Sequence, residues 1–338
     1  MKPHFCRPVL YISTLLEQAS NVDNNHDVYP MTALDEITLR TPDALLNGLA
    51  TRQVISNCLP DFEDKYELYA CDIQHILISI RIATSGNIIE FEFKCPECAS
   101  IDSYEINIQK NLPLLSAKKW FTHLEMPDFV LTFYPHSYRI QNDFALLKFK
   151  IDRQLFQLSK LPNPEEYTGI AIQLVETKTK LTLKYYSDAI QSITMKQNDI
   201  KVMNRTHINE WFQQADTSQQ NQIIAFIDEA IKETYLPNFN LTCDSCKKNI
   251  EIPMDMDFSK QFRDNIMFLS EEEILESLEK MGKQITAIRE DLMKSVWFMR
   301  GSISYGDSLF LTNNDRKIIN KIVEDNMEAS KKMGMPIF

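Results

Sequence analysis

The feature that most constrains this chain is a pair of Cys-x-x-Cys knuckles far apart in sequence, Cys95-Pro96-Glu97-Cys98 and Cys243-Asp244-Ser245-Cys246. Each spacing lets two thiolates from one tight turn reach the same metal ion. Zinc takes four such ligands in a tetrahedron, at zinc–sulfur distances of about 2.3 Å. Together Cys95, Cys98, Cys243 and Cys246 read as one structural Zn²⁺ site, a zinc ribbon with roughly 145 residues folded between its halves. Alternating runs flank both knuckles: Ile88-Ile89-Glu90-Phe91-Glu92-Phe93 and Tyr104-Glu105-Ile106-Asn107-Ile108 around the first, Asn238-Phe239-Asn240-Leu241 and Asn249-Ile250-Glu251-Ile252 around the second. Such runs on both sides of a turn signal hairpins. Two disulfides, or free thiols, are the competing reading. Seven cysteines is an odd number and no signal peptide is evident, which favours a reducing compartment. Cys6, Cys58 and Cys71 lie among apolar neighbours and read as small core residues.

At 338 residues the chain can bury a sizeable core, and 44% hydrophobic with 25% charged residues is a globular composition. No apolar run approaches the roughly 20 residues of a membrane helix. The net charge of −11 opposes general affinity for nucleic acid, whose phosphates call for clustered Lys and Arg. A zinc-ribbon factor that binds nucleic acid or serves transcription is the alternative function; it needs a basic face around Lys94, Lys247 and Lys248. Only seven glycines are present and none forms a phosphate-cradling cluster, so the chain reads as a scaffold more than an enzyme. The six histidines are scattered outside any His-Glu-x-x-His pattern, and His75 reads as a packed histidine on an apolar helix. Four thiolates leave zinc no open position, so the metal is expected to be structural, with no small-molecule substrate.

The expected fold is α+β: zinc-ribbon-like β hairpins, a mixed strand and helix insert, and a C-terminal helical region. Residues 1–30 form an N-terminal segment, with a short strand at Val9-Leu10-Tyr11-Ile12 and a polar loop or mobile stretch over residues 20–27. Residues 31–140 hold helices, the first knuckle and a small sheet that includes Phe129-Val130-Leu131-Thr132-Phe133-Tyr134. One helix opens at Thr41-Pro42-Asp43 and runs through Leu45, Leu49 and Val54; a second is capped by Asp72 and ends near Gly86. Residues 141–237 are a helical insert, with a capping-box spacing at Thr217 and Gln220. Residues 238–262 carry the second knuckle, and residues 263–338 are helical. There Ser270-Glu271-Glu272-Glu273 is a capping box opening a long helix with a heptad seam at Ile274, Leu278, Met281, Ile285, Ile288 and Leu292. That seam packs on its own domain or on a partner chain. The last helix starts at Thr312, buries Ile318, Ile319, Ile322 and Val323, and is capped by Gly334. The apolar tail Met335-Pro336-Ile337-Phe338 either docks on a partner or folds back on its own helix.

In order, these features resemble the baseplate and hub-assembly proteins of T4-type contractile-tailed bacteriophages. The resemblance rests on Thr41-Pro42-Asp43-Ala44-Leu45-Leu46-Asn47-Gly48, and on Asp72-Ile73-Gln74-His75-Ile76-Leu77-Ile78-Ser79-Ile80-Arg81 leading to the first knuckle. It continues in Ile208-Asn209-Glu210-Trp211-Phe212 and Ile223-Ile224-Ala225-Phe226-Ile227 before the second knuckle, then in Asn314-Asp315-Arg316-Lys317-Ile318-Ile319 and Met333-Gly334-Met335-Pro336. It implies a non-enzymatic structural component of the tail baseplate or of its assembly, located in the virion tail and in the host cytoplasm during assembly. Other baseplate or tail subunits are its implied partners, and the resemblance brings no catalytic residues.

Overall fold

A computed structural model of the chain describes residues 10–13, 25–60, 68–111, 122–234, 238–252 and 256–333. Its chain order begins with an antiparallel hairpin, β1 (Leu10–Ser13) and β2 (Asn25–Val28). Three short helices follow, α1 (Ala33–Thr38), α2 (Pro42–Leu46) and α3 (Leu49–Cys58). Next comes α4 (Ala70–Ser85), in which residues 72–80 are all buried. A helix buried on every side belongs in the interior, and α4 is the axis of the first core. Ile73, Ile76, Leu77, Ile78 and Ile80 pack there with Val54, Ile55, Leu68, Ile106, Ile108, Tyr138 and Met256. Its polar side chains serve neighbouring backbone: Gln74 Oε1 accepts from Met256 N at 2.9 Å, and Thr84 Oγ1 accepts from Met31 N at 3.0 Å.

The first knuckle joins β3 (Ile88–Lys94) to β4 (Ile101–Asn107), and the second joins β9 (Phe239–Thr242) to β10 (Asn249–Ile252); each pair is its own two-stranded antiparallel sheet. Between them run β5 (His123–Glu125), β6 (Phe129–Phe133), α5 (Tyr138–Ser159), α6 (Thr168–Asp188), β7 (Ile190–Met195), β8 (Lys201–Val202), α7 (Arg205–Gln214) and α8 (Thr217–Thr234). Strands β5-β6-β7-β8 form one antiparallel sheet in that order. Phe129, Leu131, Phe133, Ile190 and Ile193 pack on Ile208, Phe212, Ile223 and Ile227 of α7 and α8, making a second core. After the second knuckle come α9 (Phe258–Ile266), α10 (Glu271–Phe298), α11 (Tyr305–Ser308) and α12 (Asn313–Met333).

The α+β class and the hairpins agree with expectation; several local readings do not. Asn25–Val28 is a strand paired with Leu10–Ser13 and not a loop, while residues 20–24 lie outside the described residues. The helix expected from Thr41 is broken at Asn47-Gly48, where Gly48 takes φ +76. Helix α4 starts two residues before Asp72, with Tyr69 at its N-cap. The sheet beyond the first knuckle is separate from that hairpin and recruits β7 and β8 from the stretch expected to be helical. Helix α8 is capped by Asp216, whose Oδ1 accepts from Gln219 N at 2.9 Å, one residue ahead of the expected Thr217. The Ser270–Glu273 capping box is present as read. Of the last helix's four apolar residues only Ile319 is buried; Ile318 and Ile322 are 52% and 47% exposed. Gly334 and the tail lie outside the described residues.

A buried polar seam closes the insert at its base. Asp257 caps α9, its Oδ1 accepting from Ser259 N at 3.0 Å, and it also receives the Thr51 hydroxyl at 2.9 Å and the Tyr138 hydroxyl at 3.2 Å. Burial holds the Tyr138 phenol well above its ordinary range. Arg263 donates to Leu46 O at 3.1 Å and to Asn142 Oδ1 at 3.0 Å, while Asn142 Nδ2 donates to Asn47 O at 3.0 Å. The α2–α3 break, the start of α5 and the start of α9 are thus bound into one unit.

The C-terminal helices return to the start of the fold. Thr32 and Thr312 form an antiparallel bridge, and each opens its helix with a Thr-x-x-Asp capping box, to Asp35 and Asp315. Beside the bridge, buried Arg316 pairs with Glu36 and lies 3.7 Å from Asp291 of α10. At the other end of α10, Arg153 of α5 donates to Met267 O at 2.9 Å and Leu269 O at 2.5 Å.

Two measurements test these cores. Burial lowers the imidazoles of His75 and His136 to about 4. An unfolded histidine titrates near 6.5, so between 6.5 and 4 the unfolded chain takes up protons that the native chain refuses. Stability is full above pH 6.5 and falls toward pH 4, by up to about 1.4 kcal/mol per pH unit for each histidine. Urea midpoints measured from pH 7 to pH 4.5 should show this fall, and the H75L/H136F double variant should flatten it. At Gly48 an added Cβ would lie 2.2 Å from Asn142 Oδ1, whereas at Gly86 (φ +83) nothing lies within 4 Å. G48A is therefore expected to lose more than about 2 kcal/mol in chemical denaturation, and G86A only the backbone penalty of about 1–2 kcal/mol.

Candidate metal centre

Each cysteine pair sits on the same local scaffold. In the first knuckle Cys95 N donates to Ser100 O at 2.8 Å and Ala99 N to Cys95 O at 2.9 Å. In the second, Cys243 N donates to Lys248 O at 2.9 Å and Lys247 N to Cys243 O at 2.9 Å. The residue after each second cysteine is left-handed, Ala99 at φ 59 and Lys247 at φ 59. That conformation reverses the chain within one turn, so both sulfurs of a pair face the same way. Glycine adopts it most cheaply; Ala99 and Lys247 adopt it in its absence, held by the paired hydrogen bonds.

The two knuckles meet face to face. Cys95 Sγ lies 3.7 Å from Cys246 Sγ, and Cys98 Sγ lies 3.6 Å from Cys243 Sγ. All four sulfurs lie within 4.8 Å of one another. A tetrahedron with metal–sulfur distances of 2.3 Å has edges of about 3.8 Å, so the contacts across the cluster match the edge of a four-thiolate ion. Cys95 and Cys243 are buried, Cys246 is half-buried and Cys98 is exposed. Phe93, Ile250 and Ile252 pack on the buried side as a small apolar core. The four cysteines could therefore hold a metal ion; all four candidate ligands read from the sequence come together, while Cys58 is buried in the first core. Cys6 lies outside the described residues.

Ser100, Asp102 and Tyr104 complete the surroundings, and the sequence reading passed over them. The Ser100 hydroxyl lies 3.1 Å from Cys98 Sγ, 3.5 Å from Cys243 Sγ and 3.1 Å from Asp102 Oδ2, three acceptors that share its one proton. It lowers the Cys98 thiol below its usual range and is the main influence that takes the Cys243 thiol down to about 6. Cys246 moves the other way, to about 12: a hydrogen bond at Lys248's backbone lowers it, but burial and the neighbouring sulfurs outweigh that. Four thiolates this close would repel one another, and a bound cation would offset that repulsion. Burial pushes the Tyr104 phenol up, assisted by the Asp102 charge. Across the mouth, Lys248 pairs with Glu97 at 2.5 Å, both well exposed, so this pair orients the knuckles more than it stabilises them.

A family model described as "T4 bacteriophage base plate protein" matches residues 25–263. The chain belongs to that family. The match takes in both knuckles and the Asp257–Arg263 seam, so the cysteine cluster lies within the matched region. Helices α10 to α12 follow the matched region. Neither a curated protein nor a solved structure gives a significant match to this base plate protein.

The role of Ser100 is open to direct measurement. In chelator-treated protein, S100A should move the pH profile for alkylation of the exposed Cys98 to higher pH, because the hydroxyl that lowers its thiol is gone. An unchanged profile would leave Ser100 without influence on the cluster.

Proposed function

We propose that the chain is a structural, non-enzymatic component of a contractile phage tail baseplate, or of its assembly, in which one zinc ion held by Cys95, Cys98, Cys243 and Cys246 clasps the two ends of the insert. The observation that carries this reading is the family match over residues 25–263 together with four sulfurs spaced for a tetrahedral ion. Four thiolates favour zinc and leave it no position for substrate or water, which suits a clasp and not a catalyst. The partners are other tail or baseplate subunits, met through the helices that the clasp holds. The protein would then be found in the virion tail, and in the host cytoplasm during assembly.

On this reading the chain divides into an N-terminal segment (1–30), a region with helices and the first knuckle (31–140), an insert (141–237), the second knuckle (238–262) and a C-terminal helical region (263–338). The nucleic-acid reading has less support. The hairpins present exposed Glu90, Glu92, Glu97, Glu105, Asp244 and Glu251 around Lys94, Lys247 and Lys248, and Lys248 is paired with Glu97. Phosphates would be repelled from such a face.

Metal analysis of the purified chain should give about one zinc per chain. C98S or C246S should lose the ion together with thermal stability, and recovery of two disulfides with no metal would end the zinc claim. Mass spectrometry should find the chain in purified virions or in tail-assembly intermediates. Its absence from both would overturn the baseplate role.

A further inference from the structure

A cavity of about 270 Å³ lies where the insert meets α9, lined by residues of α5, α6, α8 and α9. It is just smaller than the roughly 300–1,000 Å³ of pockets that hold drug-sized ligands, so it suits a group of few heavy atoms. Phe144, which stacks on Tyr185 at 4.0 Å, and Phe149 give it aromatic walls. Arg263 lines it too, although only 4% of that residue is exposed. Its Nη1 donates to Leu46 O at 3.1 Å and to Asn142 Oδ1 at 3.0 Å, and Nε and Nη2 have no hydrogen-bond partner among the described residues. Those two nitrogens form the side edge of the guanidinium, whose parallel N–H groups match the two oxygens of a carboxylate. Unpaired donors on a buried cation are costly. Neighbouring polar groups are already engaged: Asp257 accepts from Thr51, Tyr138 and Ser259 N, Lys148 Nζ donates to Asp152 at 2.7 Å, and the Tyr186 hydroxyl donates to Asp228 at 2.6 Å.

We propose that this cavity is a binding site for a carboxylate with a small apolar body: the carboxylate takes the unused edge of Arg263, and the body lies against Phe144, Phe149 and Tyr185. Charge narrows the choice further. Asp228, Asp257 and Asp264 line the cavity together with Lys148, Lys260 and Arg263, so acids and bases balance. One added negative charge is matched by the guanidinium, whereas a phosphate dianion would meet three carboxylates at close range. Occupancy would also act on the fold. The same guanidinium ties α9 to Leu46 and to Asn142, so a carboxylate on its other edge would stiffen the seam that closes the insert. The carboxylate could belong to a free small acid or to a partner chain, and the chemistry of recognition is the same for both. The proposal depends neither on the metal nor on the baseplate role.

Ligand-observed NMR on the full chain tests this with 3-phenylpropanoate and its neutral amide, a comparison that needs no variant. The acid should bind at roughly millimolar concentration, and the amide about tenfold or more weakly. R263Q should lose the acid by a similar factor. Arg263 also holds Leu46 and Asn142, so a second variant leaves it in place: A145F fills the cavity from α5 and should abolish binding at the parent's melting temperature. N-acetylphenylalanine presents a chain-end carboxylate and N-acetylglutamate amide a side-chain one. Tighter binding of either than of 3-phenylpropanoate supports the site with a partner chain as its source, and weaker binding of both supports it with a free acid. Equal binding of acid and amide would overturn the proposal. So would acid binding that is unchanged in A145F, or inorganic phosphate binding more tightly than the acid.

Discussion

Residues 243–263 must return to the place that residues 46–102 occupy, and the whole arrangement depends on that return. Closing a loop across the 145-residue separation of Cys98 and Cys243 costs about 4–5 kcal/mol in chain entropy. Weak hydrogen bonds between thiols cannot offset that. Two other elements can. One is α4, whose buried apolar side chains pack with Met256. The other is the Asp257–Arg263 seam, whose charged hydrogen bonds contribute about 1.5–3 kcal/mol each. The closure is therefore double. The seam and α4 hold the base of the insert, and a cation in the cysteine cluster would fix the two hairpins above it.

The legible parts of the sequence were those determined by neighbours in the chain. The capping box at Ser270 and the Thr-x-x-Asp start of α12 are local hydrogen-bond patterns, and both are present. Cys-x-x-Cys spacing likewise states that two sulfurs share a turn. What could not be read depends on contacts distant in sequence. The break at Gly48 is hidden because Leu45 and Leu49 continue the helical period across it; the cause is Asn142 and Arg263, brought there by the fold. Strand β7 follows α6 almost directly, with only Ala189 between them and no Gly or Pro to mark the change.

The same division holds at the cluster. The ligands announce themselves by spacing, but Ser100 and Asp102 matter only because the second knuckle sits against the first. The left-handed turns carry Ala99 and Lys247 where glycine would have been a signal. In α12 the apolar period identified a face correctly but not its surroundings: Ile319 is covered, and Ile318 and Ile322 are not. Periodicity tells which residues share a side of a helix, and only the rest of the molecule tells whether that side meets protein or solvent.

Helix α10 has 28 residues, about 42 Å of continuous backbone. Arg153 grips the turn ahead of its first residue, and the Glu36–Arg316–Asp291 group grips it near its last turns. A rod pinned at both ends behaves as a beam rather than as a loose arm. It resists being pushed along its axis, and a displacement at one grip is delivered to the other with little lost to bending. The insert and the N-terminal helices are thereby mechanically coupled by a member that lies outside both hydrophobic cores.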